Sequence, residues 1–276
     1  GVAHGQAEIV CCTRNFHGRT ITGASLAWDE HYHSDFGPVA PGFRHVAFGD
    51  IDALRAAITR NTVAVLLEPI QGEGGIFVPP EGYLRDVRHL CDEQGILMML
   101  DEIQTGLART GDLFCHHHEP GAEPDVMMVG KALGGGVYPV SAALASRAVM
   151  DVFEPGDHGS TFGGNPLAAA VGEAALDVIV EEELAGRARE LGDRLIDGLR
   201  SIDSDKVREV RGRGLLVGID IDPEAGPARA FCEALMHRGA LCKETRQQVL
   251  RLSPPLVITR EEVDWLVEQV AAVLHQ

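Results

Sequence analysis

The feature that most constrains this chain is a series of short, unbroken apolar runs at residues 63–67, 96–100 and 126–129. None shows the apolar/polar alternation of a strand with one wet face. A continuous run suits a strand covered on both faces, and such strands are characteristically parallel ones joined by crossover helices. Residues 81–94 supply a crossover of that kind, with Leu84, Val87, Leu90 and Cys91 at helical spacing. Residues 7–12 read as a further strand that the sequence enters almost at once. The fold class that follows is α/β, with a mostly parallel central sheet and helices on both faces.

The second half is ordered differently. Asn165 followed by Pro166 opens a long helical stretch, since Asn caps well and Pro suits a first turn. It runs to about residue 199 with a break near 181–183. Residues 207–221 then read as paired strands around Gly212 and Gly214, followed by a helix over 227–238, a strand near 249–252 and a closing helix after Thr259. We therefore place a boundary near Gly164, giving a large domain over 1–164 and a smaller α+β C-terminal domain over 165–276.

Charge narrows the partners. The 276 residues hold 24 basic and 41 acidic side chains, a formal charge of -17, so nucleic acid and anionic membrane surfaces are repelled over most of the surface. An anionic ligand needs a local cradle of backbone N–H groups and a few well-placed cations. No apolar run approaches bilayer length and no signal-like segment opens the sequence. The six cysteines form no CxxC pair and read as free thiols of a reducing compartment, so a cytoplasmic location is expected. His116, His117 and His118 precede Glu119 and read as a solvated loop rather than ligands, and no metal is assigned. The first residue is Gly1, close to the middle of an apparent strand, and we expect an N-terminal portion that is missing, cleaved or supplied by another chain.

In a parallel sheet, chemistry collects beyond the carboxyl ends of the strands. Glu68 and Asp101 each follow one apolar run directly, and Lys131 follows another after a single glycine. For Glu68 alone a helix cap or a solvated turn is the commoner explanation. A lysine near a buried carboxylate forms either an ion pair or a Schiff base with an aldehyde whose ring nitrogen the acid keeps protonated. The surrounding Gly130-Lys131-Ala132-Leu133-Gly134-Gly135-Gly136 favours the second, because it leaves room for a flat ligand.

Three motifs in this order carry a resemblance. Leu67-Glu68-Pro69-Ile70-Gln71-Gly72-Glu73-Gly74-Gly75, Asp101-Glu102-Ile103-Gln104-Thr105-Gly106 and Gly130-Lys131-Ala132-Leu133 resemble the class III pyridoxal-phosphate-dependent aminotransferases, and the likeness covers nearly the whole chain. Asp101 through Gly111, Gly136-Val137-Tyr138-Pro139-Val140-Ser141 and His158-Gly159-Ser160-Thr161-Phe162-Gly163-Gly164-Asn165-Pro166 resemble the ornithine aminotransferase branch, while Glu73-Gly74-Gly75 is closer to the acetylornithine branch.

The resemblance implies a fold-type I transferase with pyridoxal 5′-phosphate as cofactor. Lys131 would form the Schiff base and then shuttle the proton as general acid and base, while Asp101 would hold the pyridine nitrogen protonated. Phe16 would stack on the ring, with His17, Gln104 and Ser160 also on the cofactor side. Thr161 would reach the phosphate of the neighbouring subunit's cofactor. Arg251 would grip the α-carboxylate of an oxo acid in a bidentate fork, and Arg19 would contact a substrate carboxylate. Glu73 would pair with Arg251 while a diamine enters by its terminal amine. The implied reaction moves the δ-amino group of ornithine to 2-oxoglutarate. The alternatives are acetylornithine or another ω-amino acid as donor, and a non-catalytic or partner-dependent subunit that keeps the fold. The implied assembly is a homodimer, or a hetero-oligomer with an N-terminal partner chain. Members of the family carry a phosphate-holding turn and substrate-contacting aromatics before the segment that matches Phe16, and this sequence has neither.

Overall fold

The computed structural model describes residues 2–276 and separates into two compact units. One gathers the chain up to Pro69 with Pro79–Leu107 and His116–Val178. The other gathers Ile70–Val78, Ala108–Cys115 and Ile179–Gln276.

The first unit is built on one sheet. Its strands are β1 (Glu8–Cys12), β2 (Phe43–Val46), β3 (Thr62–Leu67), β4 (Leu97–Asp101), β5 (Val126–Val129) and β6 (Ala142–Ala145), in the spatial order β2-β1-β3-β4-β5-β6. All neighbours are parallel except β6, which runs antiparallel to β5 along the edge. The helices are α1 (Ile21–Leu26), α2 (Ile51–Ala57), α3 (Tyr83–Gln94), α4 (Arg147–Met150) and α5 (Pro166–Glu181), the last of which runs on beyond this unit.

The continuous apolar runs are accounted for by two separate cores. Val10, Cys12, Val65, Leu67, Met98 and Leu100 pack with Leu84, Val87 and Leu90 of α3. Their neighbours Cys11 and Leu66 pack with Leu26 of α1, joined by Met99 and Met128. Alternate residues thus leave the sheet on opposite sides, and both sides are covered. Truncating a fully buried member such as Leu67 or Met98 to Ala costs about 2–5 kcal/mol.

α3 begins after Gly82, which has no side chain to cap it. The Glu119 carboxylate does so from a distance, accepting Leu84 N at 3.1 Å and Arg85 N at 3.3 Å. β6 and β2 escaped the sequence reading: Ala142-Ala143-Leu144-Ala145 has no β-branched residue, and its strand character comes from pairing with β5.

The second unit carries an antiparallel sheet, β7 (Val207–Arg213), β8 (Leu216–Ile221), β9 (Lys243–Thr245) and β10 (Val249–Leu252), in the order β7-β8-β10-β9. α6 (Leu184–Arg200), α7 (Ala228–His237) and α8 (Arg260–Leu274) supply Leu191, Leu195, Phe231, Leu235, Val263 and Val270 to a core shared with Val217, Ile219 and Leu250 of the sheet. The break expected at 181–183 is present: α5 ends at Glu181, Glu183 takes a left-handed φ of 52°, and α6 begins at Leu184. α8 starts with a capping box, Thr259 and Glu262 bonding each other's backbone N–H.

The glycines of the β7–β8 hairpin are required sterically. A Cβ on Gly212 would stand 2.3 Å from Leu216 O, and one on Gly214, where φ is +54°, would stand 2.5 Å from Thr110 C.

The units do not meet at Gly164. The early turns of α5 stay with the first unit, where Cβ positions at Gly172 and Gly135 lie 3.7 Å from Leu133 and 3.5 Å from Ala175. Residues 70–78 and 108–115 join the second, where Ile70, Ile76 and Cys115 pack on Leu216. Contacts this far apart along the chain are invisible to a reading of contiguous segments.

Candidate active site

In the first unit β1 lies between β2 and β3, so the winding of the sheet reverses between β1 and β3. In open sheets of this kind the crevice outside the carboxyl ends at the reversal is where ligands bind. The chain leaving β1 crosses that place. Asn15 anchors it, donating to Leu26 O at 2.8 Å and accepting from Trp28 N at 3.0 Å. Phe16 N donates to Glu68 Oε1 at 3.1 Å, beyond the end of β3, and His17 Nδ1 meets Asp101 Oδ2 at 2.8 Å, at the end of β4.

Asp101 is the last residue of β4, its side chain 9% exposed. Burying a carboxylate is unfavourable unless hydrogen bonds replace water. Here Oδ1 accepts Ile103 N at 3.1 Å, an Asx-type turn that directs the chain away from the strand, and Oδ2 accepts from His17. The His17 side chain is only 4% exposed, and its Nε2 is buried with no hydrogen-bond partner. A buried polar atom left in that state costs about 1–3 kcal/mol, a burden more typical of a site built to meet a ligand than of a core.

Lys131 stands just past β5, whose Met128 is the register partner of Asp101. It is exposed and has φ 45°. A non-glycine residue in the left-handed region costs about 1 kcal/mol or more, and such residues gather at functional sites. A Cβ at the preceding Gly130 would stand 3.4 Å from Ile103 and from Ser141, ordinary van der Waals contact, so this turn packs against both.

The remaining expected residues fall as follows. Phe16 is half-buried, and its ring meets Tyr32 edge-on at 6.0 Å. Arg19 lies over Tyr32 at 4.4 Å and Phe16 at 5.5 Å, so an exposed cation caps two aromatics. Gln104 is half-buried in the segment after Asp101. Ser160 and Thr161 are exposed, with Ser160 Oγ accepting Gly163 N at 2.9 Å.

Two sequence expectations need correction. Glu68 is neither a helix cap nor a solvated turn: it is 6% exposed and fixes the Phe16 backbone. The three histidines are not simply a solvated loop either. His116 is 6% exposed, and both its N and its Nδ1 bond Glu102 Oε1, at 2.9 and 3.0 Å. Glu102 Oε2 accepts Thr105 Oγ1 at 2.7 Å, so this carboxylate ties together the turn that carries Gln104. Among the described residues no three His, Cys, Asp or Glu side chains gather as metal ligands. Cys11 and Cys12, at the end of β1, are pushed up to about 12 by burial above all, which keeps them protonated and unreactive at neutral pH.

A second constellation lies within the other unit. Arg251, in the middle of β10, forms an ion pair with Glu73, the two side chains being 15% and 23% exposed. Glu73 sits on a loop closed by the Gln71–Phe77 bridge. Arg211 clamps that loop by donating Nε and Nη2 to Gly75 O at 3.0 and 2.8 Å, with its guanidinium 4.3 Å over Phe77. Thr245 Oγ1 donates to Glu73 O. Arg109, absent from the sequence expectations, reaches Leu215 O at 3.2 Å and Pro254 O at 2.5 Å, and burial lowers its pKa to about 10.

Fold and motifs together define the class: the chain belongs to the class-III aminotransferases, whose family model matches residues 2–274. Among curated proteins it is 56% identical over 274 residues to an ornithine aminotransferase of Bordetella pertussis, covering 99% of this chain and 66% of that one. It is 54% identical to ornithine aminotransferase 2 of Staphylococcus aureus, covering 100% and 68%. A solved ornithine aminotransferase of Toxoplasma gondii superposes with a TM-score of 0.96 at 42% identity, over 99% of this chain and 66% of that one. An acetylornithine aminotransferase of Elizabethkingia anophelis gives 0.87 at 44% identity, over 100% and 68%. The chain thus spans about two thirds of the length of these relatives.

The residues present suit pyridoxal phosphate in their chemistry: a buried carboxylate for a ring N–H, an exposed lysine amine for an aldehyde, an aromatic face, and an unsatisfied buried histidine nitrogen beside the carboxylate.

Proposed function

We propose that the chain is the greater part of a pyridoxal-phosphate aminotransferase that moves the δ-amino group of ornithine to 2-oxoglutarate, giving glutamate semialdehyde and glutamate. The observation that carries this reading is the Glu73–Arg251 ion pair. An enzyme that accepts a diamine in one half-reaction and a dicarboxylate in the other needs an arginine that is masked for the first and open for the second. Glu73 masks the guanidinium when the terminal amine enters, and a carboxylate of the oxo acid takes its place afterwards.

When bound, pyridoxal phosphate supplies an electron-poor ring that accepts the electrons left on the substrate carbon by loss of its proton. Lys131 provides the amine that holds it and then moves that proton. Asp101 retains the proton on the ring nitrogen, and His17 keeps the carboxylate facing one way. Phe16 offers its face to the ring, while Gln104, Ser160 and Thr161 supply polar contacts, Thr161 to the cofactor of a neighbouring subunit in a homodimer. Arg19 receives a substrate carboxylate.

A second reading keeps the chemistry and changes the donor to acetylornithine. It is supported by the similarity to the Elizabethkingia protein and by Glu73-Gly74-Gly75. A third has the chain complete its site only with another polypeptide. One assay separates them: amino transfer to 2-oxoglutarate from ornithine, acetylornithine and 4-aminobutyrate, with and without added cofactor. Transfer from ornithine alone is expected. Transfer from acetylornithine but not ornithine overturns the first reading, and a colourless protein with no transfer favours the third.

A further inference from the structure

Glu73 is shared between two cations. Its Oε1 meets Arg251, while its Oε2 lies 3.9 Å from Lys243 Nζ. Lys243 on β9 and Arg251 on β10 are register partners, and directly opposed residues of an antiparallel pair put their side chains on one face. Like charges so placed repel, and Glu73 lies between them. The next residue, Glu244, alternates to the other face and is paired with Arg229 at 3.3 Å.

The two cations differ in kind. Arg251 is 15% exposed and carries a rigid planar fork. Lys243 is 64% exposed, a hydrated point charge on a flexible stem. It is also one of only three lysines among the 24 basic residues. A fork suits the tight seat for a carboxylate. A mobile ammonium suits a place from which a carboxylate can be received and released.

We propose that Lys243 is the resting partner of Glu73, receiving its carboxylate when Glu73 leaves Arg251 to admit a dicarboxylate, and so helps to set the preference between the two substrates. The movement is short. Oε2 needs to approach by about 1 Å to reach a charge-assisted hydrogen bond of about 2.8 Å, and Thr245 holds the Glu73 backbone meanwhile. Without Lys243 the displaced carboxylate loses this charged neighbour, and the closed Glu73–Arg251 pair gains at the expense of the open state. The inference rests on the reading of Arg251 as the carboxylate seat.

The test uses glutarate, a dicarboxylate that cannot react, titrated calorimetrically into the protein and its Lys243→Met, Lys243→Arg and Arg251→Ala variants, alongside KM values for both substrates. Arg251→Ala should weaken glutarate binding by about tenfold or more. Lys243→Met should weaken glutarate and raise the 2-oxoglutarate KM about threefold to fivefold, the range of a solvent-exposed ion pair, with a smaller change for ornithine. Lys243→Arg should restore most of the loss. If Lys243→Met leaves glutarate unchanged, or weakens ornithine equally, Lys243 has no such role. If Arg251→Ala also leaves glutarate unchanged, the carboxylate seat itself is misassigned.

Discussion

The two units place their chemistry differently. In the first, Asp101 and Lys131 lie at or just past strand ends, where the chain turns and the backbone can be strained. In the second, Arg251 lies inside a strand, its orientation set by the ladder, and its partner Glu73 comes from a loop 178 residues away. The contrast separates two tasks. On the proposed roles, the groups that would meet a reacting atom sit at the carboxyl ends of interior parallel strands, while the group that would choose among substrates sits on an antiparallel strand and faces a counter-charge from a loop.

The contrast is sharpened first by Asp101→Asn. It removes the charge but not the shape, and turnover should fall by about a hundredfold or more with unchanged circular dichroism. Unaltered kinetics would deny the strand-end carboxylate its role. Next comes Gly214→Ala, which forces a Cβ to within 2.5 Å of Thr110 C at φ +54°. A stability loss of about 2–3 kcal/mol is expected, read from the midpoint of urea unfolding, and a wild-type midpoint would show that the hairpin can give way.

Arg251→Ala should raise the 2-oxoglutarate KM by about tenfold or more, the worth of a charge-assisted pair, and affect ornithine less. Equal losses would argue against a substrate-selecting second unit. The smallest effect belongs to the α8 cap, where Thr259→Ala should cost about 1 kcal/mol. The backbone N–H of Thr259 first, and its hydroxyl second, hold Glu262 below its ordinary value of 4.5. That contribution is complete above the ordinary value and lost as pH falls through the lower, folded one; the variant keeps the backbone N–H and loses only the hydroxyl's share, so the gap between wild type and Thr259→Ala should narrow in acid without closing. A gap that widens there would contradict the cap.

How much was legible follows from the same contrast. The parallel strands announce themselves because both of their faces are buried, so β3, β4 and β5 were found with errors of a residue at their ends. The positions of Asp101 and Lys131 at and just past the ends of β4 and β5 were legible because each follows an apolar run, whereas the roles given to them come from the resemblance. His17's bond to Asp101 spans 84 residues and leaves no local trace. Glu68 was misjudged because a carboxylate after a strand looks the same whether it meets water or the Phe16 backbone. Glu73 and Arg251 were connected through family resemblance alone, since an arginine in the middle of a strand has no local signature. Lys243 gave no signal at all: its place opposite Arg251 exists only in the register of β9 on β10.

The most direct measurement is to add pyridoxal phosphate, reduce with borohydride and map the peptides by mass. Only Lys131, Lys206 and Lys243 are available in the sequence. The account predicts the pyridoxyl group on Lys131, with loss of the label in Lys131→Ala. A label on Lys206 or Lys243 with Lys131 unmodified, or no label at all, would contradict it.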